Sequence, residues 1–189
     1  DIAGLVRGDK ILEINGKTLL EIYLFNLWNT IFGEDKPGVT VSFKIEDSNG
    51  AVREVTVKKD WVTINTTTYY DILERNGLKI GYLLFNTFIE NAESELNTVF
   101  AYFKQNHVNE LILDLRYNGG GQTDIAQLLA SLIGGDRVAG EIFMKTVHND
   151  KYAFWNDTTY FTWQENALHL DRVVCITTSR SCSASEVVM

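Results

Sequence analysis

Apolar residues along this chain follow two periods, and the switches between them mark out its elements. Ile11 and Ile14 stand on a short strand after a turn at Gly8-Asp9, and the strand runs into Asn15-Gly16, a tight hairpin turn. Leu20, Leu24, Leu27, Trp28 and Ile31 then recur at helical spacing until Gly33, which predicts a helix over residues 20–33. Pro37-Gly38 opens a strand over 39–45, and Ser48-Asn49-Gly50 turns it back into a second strand over 52–57. Residues 61–70 are rich in β-formers without clean alternation and read as a crossing segment.

Beyond that segment, short apolar runs alternate with helical faces. Residues 80–85 suit a buried strand. Asn91 can cap a helix whose apolar face is Leu96, Val99, Phe100 and Phe103. Residues 111–116 are almost continuously apolar and predict a central strand, followed by a helix over 125–133. Strand, helix, strand in this order predicts a parallel sheet with right-handed crossovers. Residues 141–162 are aromatic and polar, broken by Asn149-Asp150 and Asn156-Asp157, and read as a hairpin-like excursion. The last apolar run, 172–176, leads into small hydroxyl residues and the first turn of a further helix.

Composition narrows the classes. At 45% hydrophobic and 22% charged, the 189 residues are those of an ordinary globular protein with ample core. Seventeen basic against 25 acidic residues give a net charge of −8, and no basic run appears, which argues against nucleic acid and anionic membrane partners. Cys175 and Cys182 make no disulfide framework, and no His or second Cys stands at metal-ligand spacing, so neither metal nor cofactor is expected. His148 and His169 stand in no Ser/His/Asp arrangement. Residues 1–5 read as the end of a helix and Met189 as the first turn of another, so the chain reads as an excerpt of a longer protein.

Two junctions carry candidate chemistry. In Ser181-Cys182-Ser183-Ala184-Ser185-Glu186, a strand-to-helix turn of small residues offers a hydroxyl nucleophile beside free backbone N–H groups. The same spacing, Ser183-x-x-Glu186, also fits a plain capping box. In Asn118-Gly119-Gly120-Gly121-Gln122, three glycines at the carboxyl end of a buried strand expose backbone where open α/β sheets bind ligands. That loop lacks the Lys and Ser/Thr of a P-loop and the dinucleotide spacing. It can donate an N–H to an oxyanion or serve only as a tight turn. Asp114 and Arg116, on a buried strand, require partners and read as a structural network.

Gly4-Leu5-x-x-Gly8-Asp9-x-Ile11-Leu12-x-Ile14-Asn15-Gly16 resembles the second half of a PDZ domain. Together with Leu113-Asp114-Leu115-Arg116-Tyr117-Asn118-Gly119-Gly120-Gly121 and the serine turn, the chain resembles the C-terminal processing (tail-specific) serine peptidases, most of all Bacteroides-like cell-envelope members. The resemblance implies an α/β, crotonase-like (ClpP-like) parallel-sheet catalytic domain over 77–189. It is preceded by a partial PDZ domain over 1–62 and a linker over 63–76. It implies Ser183 as nucleophile, and Ala184 with Gly120, or alternatively Gly121, as oxyanion donors. The base it implies is a lysine in a Gly-Lys motif downstream of Met189, and Cys182 stands where the family usually has Ala. Leu24, Trp28 and Ile31 become candidates for a peptide groove, although plain core fits them equally. The implied partner is a polypeptide substrate bound by its C-terminus, acted on in the bacterial periplasm or cell envelope. A catalytically inactive PDZ-containing scaffold is the alternative, with a crotonase-like acyl-transfer enzyme third.

Overall fold

The computed structural model describes residues 4–170 and 172–189, so residues 1–3 of the expected helix end lie outside the described residues. The chain forms two units, Asp1–Thr63 and Ile64–Met189.

In the first unit, β1 (Lys10–Ile14), β2 (Lys17–Thr18), β3 (Thr40–Glu46) and β4 (Val52–Lys58) make an antiparallel sheet in the order β2-β1-β3-β4. Asn15 takes the left-handed φ of 47° that the hairpin requires. Its side chain fixes the turn in place, accepting the Ser42 N–H at 2.8 Å and donating to the Ile31 carbonyl at 2.7 Å. The helix α1 (Leu19–Leu24) starts on a capping box, with Thr18 Oγ1 accepting the Glu21 N–H and the Glu21 carboxylate accepting the Thr18 N–H.

That helix is far shorter than the expected 20–33. Asn26 adopts φ 51° and breaks it, and residues 27–31 continue as a separate turn closed by the Thr30 and Ile31 N–H groups on the Leu27 carbonyl. The redirected chain packs Leu27, Ile31 and Phe32 against buried Ile14, Ile22 and Val41. Leu20 and Leu24, nominally on the same helical stripe, remain exposed.

The second unit is a mixed sheet in the order β10-β7-β6-β5, comprising β5 (Thr67–Arg75), β6 (Leu78–Phe85), β7 (Glu110–Asp114) and β10 (Val173–Ile176). β6, β7 and β10 run parallel, as the element order predicts, and β5 pairs antiparallel with β6 at the edge. The α/β architecture is therefore as expected, but the stretch 63–76, read as a linker, carries the edge strand β5. Most of β5 is exposed, so it shows no apolar alternation strong enough to mark it. Its start is held by Glu95, whose Oε2 accepts from the N–H and hydroxyl groups of both Thr66 and Thr67 at 2.7–3.1 Å.

One face of this sheet presents Leu83, Phe85, Leu111, Leu113 and Leu115 to two helices. The first, α2 (Ala92–Gln105), buries the face the spacing predicts, Leu96, Val99, Phe100 and Phe103. The second, α3 (Thr123–Gly134), buries Ile125, Ala126, Leu129 and Leu132. The aromatic excursion is a hairpin of β8 (Ile142–Thr146) and β9 (Asp157–Tyr160). It is fixed along α3 by Gln127 Nε2 on the Tyr160 carbonyl and by the Thr162 N–H on Ser131 Oγ. The chain closes on α4 (Ala184–Val188).

Candidate active site

Parallel pairing of β7 with β10 brings the two informative loops to one sheet edge. Asp114 lies opposite Ile176, and the Leu115 N–H donates to the Ile176 carbonyl at 2.8 Å. Both loops therefore leave the sheet side by side at its carboxyl end, where open α/β sheets place ligands.

The loops are stitched together. The Asn118 carbonyl accepts the Cys182 N–H at 3.3 Å and the Ser185 hydroxyl at 3.0 Å, and Cys182 Sγ donates to the Gly119 carbonyl at 3.3 Å. Further back, Ser181 Oγ donates to the Leu115 carbonyl at 2.6 Å. The contact is close enough that a side chain at Gly120 has no room. A Cβ there would lie 2.7 Å from the Cys182 carbonyl oxygen and Ser183 Cβ, and 2.9 Å from the Ala184 nitrogen.

Ser183 is exposed and held at φ 56°, ψ −123°, a conformation that costs a non-glycine residue about 1–3 kcal/mol. A serine displayed on a strained strand-to-helix turn is a known way of presenting a nucleophile. The capping expectation is met at the backbone, where the Ser183 N–H donates to the Glu186 carboxylate at 2.8 Å. Capping and presentation are thus compatible.

The glycine amides differ. Gly120 is buried and its N–H donates to Asn118 Oδ1 at 2.9 Å. Gly121 is exposed, and a Cβ on it would meet the Phe88 carbonyl oxygen at 2.0 Å. The Gly120 carbonyl accepts the Phe88 N–H at 3.0 Å, so across that trans peptide the Gly121 N–H points away from Phe88. Among the described residues, the amides of Gly121 and Ala184 have no protein acceptor.

Asp114, fully buried, accepts from Arg116 Nε, Nη2 and backbone N–H at 2.7–3.0 Å and from Tyr82 Oη at 2.6 Å. Burial by itself would raise its carboxyl, but the Arg116 and Tyr82 bonds outweigh burial and hold it below the usual carboxylate range. The structural network expected for Asp114 and Arg116 is what the structure contains, and it braces the root of the glycine loop.

The histidines are engaged in other elements. His148 packs edge-on against Trp155 in the hairpin, and His169 Nδ1 accepts the Asp136 N–H. Burial pushes the Cys175 thiol up, whereas Cys182 is exposed. In the first unit Leu24 and Trp28 are exposed, but Ile31 belongs with the core. The sequence reading gave no role to Asn118 or Ser185, both fully buried at the centre of the site. The available signal was a polar residue directly before three glycines, and a second serine two positions after Ser183.

Known proteins resemble this chain. A carboxyl-terminal-processing protease of Picosynechococcus sp. is 34% identical over 123 residues, covering 64% of this chain and 29% of that protein. A CtpA-like serine protease of Staphylococcus saprophyticus is 25% identical over 98% of the chain and 35% of its own length. The crystal structure of an S41 protease from Bacteroides fragilis superposes with a TM-score of 0.65 at 28% identity, over 99% of this chain and 51% of that one. The photosystem II D1 C-terminal processing protease superposes at 0.54 over 99% and 49%, and at 19% identity it speaks for the fold alone. The chain thus spans about a third of the length of these curated relatives. Peptidase family S41 matches residues 79–189, a segment that holds both stitched loops and the strained serine, and the chain belongs to that family.

Proposed function

We propose that the full-length protein is a serine endopeptidase in which Ser183 attacks the scissile carbonyl. The observation that carries this reading is the strained, exposed Ser183 locked against a glycine loop, with uncommitted amides at Ala184 and Gly121. In the reaction, Ser183 Oγ adds to the carbonyl carbon and the oxyanion takes hydrogen bonds from the Ala184 and Gly121 N–H groups. Such donors contribute only as charge develops, and each is worth about 2.7–4 kcal/mol to the transition state. Gly121 is the better assignment than Gly120, whose amide is already bonded to Asn118.

The serine proton requires a base. The base we assign, on the family resemblance, is a lysine of the full-length protein downstream of Met189, kept neutral by burial so that it can accept the proton and pass it to the leaving amine. The second unit is read as a crotonase-like (ClpP-like) domain, and the first as part of a PDZ domain that holds the C-terminal tail of an extended polypeptide by strand addition. The proposed place of action is the periplasm or cell envelope; no helix among the described residues is long and apolar enough to cross a membrane.

The test compares the full-length protein with Ser183→Ala on an unstructured peptide. Loss of cleavage in the variant is expected, and equal cleavage by the two refutes the assignment.

A further inference from the structure

We infer that Asn118 is a positioning residue for this reaction, selecting which glycine amide faces the nucleophile and holding the glycine loop and serine turn in one register. The inference rests on the serine-peptidase reading above. Asn118 is fully buried and touches no reacting atom. Its Oδ1 accepts the Gly120 N–H at 2.9 Å, and its Nδ2 donates at 2.9 Å to the carbonyl of Phe85, the last residue of β6. Its N–H donates to the Leu115 carbonyl at 3.0 Å, just past β7. Its own carbonyl takes the Cys182 N–H and the Ser185 hydroxyl from the other loop. Two strand ends, the glycine loop and the serine turn therefore converge on one residue.

The chemical consequence follows from the peptide geometry. With its N–H tied to Asn118 and its carbonyl tied to Phe88, Gly120 has no freedom to turn outward. The Thr87 hydroxyl adds a second tie on the Gly120 carbonyl at 3.4 Å. The amide left for an oxyanion is that of Gly121, which shares a planar trans peptide with the pinned carbonyl. Asparagine suits the position because it offers one acceptor and one donor in a plane. The amide orientation is fixed by its neighbours, since an N–H on one side needs the oxygen and a carbonyl on the other needs the nitrogen.

In the full-length protein, Asn118→Ala is expected to lower kcat by about 10²–10³-fold, the effect of losing an oxyanion donor, with KM changed less than about threefold. A peptide aldehyde, which forms a tetrahedral adduct on the serine, should lose affinity in proportion to kcat. Uncleaved peptide should bind equally to Ser183→Ala and to Ser183→Ala combined with Asn118→Ala. Asn118→Asp keeps the argument testable if the alanine variant does not fold. As a neutral acid the new side chain can still donate to Phe85 and accept from Gly120, whereas the ionised form loses its donor. Its kcat relative to wild type at each pH, a ratio that cancels titration of the base, should rise toward acid. Burial should move that rise above the ordinary carboxyl range. A flat ratio overturns the positioning role and leaves the serine reading intact. So does kcat of Asn118→Ala within about threefold of wild type while Ser183→Ala is inactive, or a parallel fall of kcat and peptide affinity. Cleavage by Ser183→Ala overturns the serine reading itself.

Discussion

Gly120→Ala, set against Gly119→Ala, isolates the approach of the two loops. The introduced Cβ at Gly120 would lie 2.7 Å from Ser183 Cβ and the Cys182 carbonyl oxygen, where ordinary contact begins at 3.4 Å. Neither neighbour is the free end of a flexible side chain, so the loops must separate by about 0.7 Å or the strain must be absorbed in backbone angles. Gly120 also sits at φ 93°, which adds about 1–3 kcal/mol for any other residue. A misplacement approaching 1 Å in a reacting constellation costs about 10²-fold in rate. At Gly119, by contrast, a Cβ meets nothing within 4 Å and φ lies outside the left-handed region. The assay is kcat/KM of the full-length protein on an unstructured peptide, with thermal melting read alongside. Gly120→Ala should lose about 10²-fold or more in kcat/KM and melt several degrees lower, and Gly119→Ala should stay within about threefold of wild type. Equal losses in the two variants, or near-wild-type turnover by Gly120→Ala, would show that close approach of the loops is not what makes the site.

Two further outcomes test other parts of the chain. Glu95 and Asp114 are each held below the usual carboxylate range, with burial opposing and hydrogen bonds to Thr66 and Thr67, or to Arg116 and Tyr82, prevailing. Depressed carboxyls stabilise the fold above their unfolded values near pH 4 and lose that contribution as pH falls through the lower folded values. Melting temperature should therefore decline from about pH 5 downward, and less steeply in Glu95→Gln and Asp114→Asn, measured by circular dichroism; identical slopes would refute the linkage. In the first unit, Ile31→Ala should cost about 1–2 kcal/mol of stability, below the full-core range because the side chain is only half buried. Leu24→Ala and Trp28→Ala should stay within about 0.5 kcal/mol in chemical denaturation, as exposed positions do. Loss of stability at Leu24 equal to that at Ile31 would show that the core assignment is wrong.

The parts of the fold legible in the sequence were those where burial and period coincide. The face Leu96, Val99, Phe100 and Phe103 was readable because α2 buries one clean stripe, and the β7 run because this central strand buries Leu111 and Leu113 on one face and still half-buries Ile112 on the other. β5 escaped because an exposed edge strand carries no such pattern. The helix over 20–33 failed because apolar spacing records that residues are buried, not that one element buries them. Ile22 and Ile31 reach the same core through two elements joined by left-handed Asn26. The nucleophile and glycine loop were visible as motifs, whereas the Asn118 hub depends on β7 and β10 being neighbours, a relation between residues more than sixty positions apart.

Backbone conformation separates the site from ordinary turns more sharply than residue type does. Among the described residues, the non-glycine positions at positive φ are Asn15, Asn26, Asn76, His107, Tyr117, His169 and Ser183. Asparagine and histidine are the types enriched there, so five of the seven need no explanation beyond local turn chemistry. Tyr117 and Ser183 remain, and neither has a side chain that favours the left-handed region. One opens the glycine loop after β7 and the other sits on the turn after β10, side by side at the same sheet edge. Strain of this kind persists only where surrounding contacts over-determine it. Here those contacts are the Tyr117 N–H on Thr178 Oγ1 and the bonds that Asn118, Gly119 and Leu115 make across to residues 181–185. The two strained residues are thus held by the same cross-loop bonds that bring the glycine amides to the serine. A fold needing only a tight turn at each strand end would have placed glycine or asparagine at both.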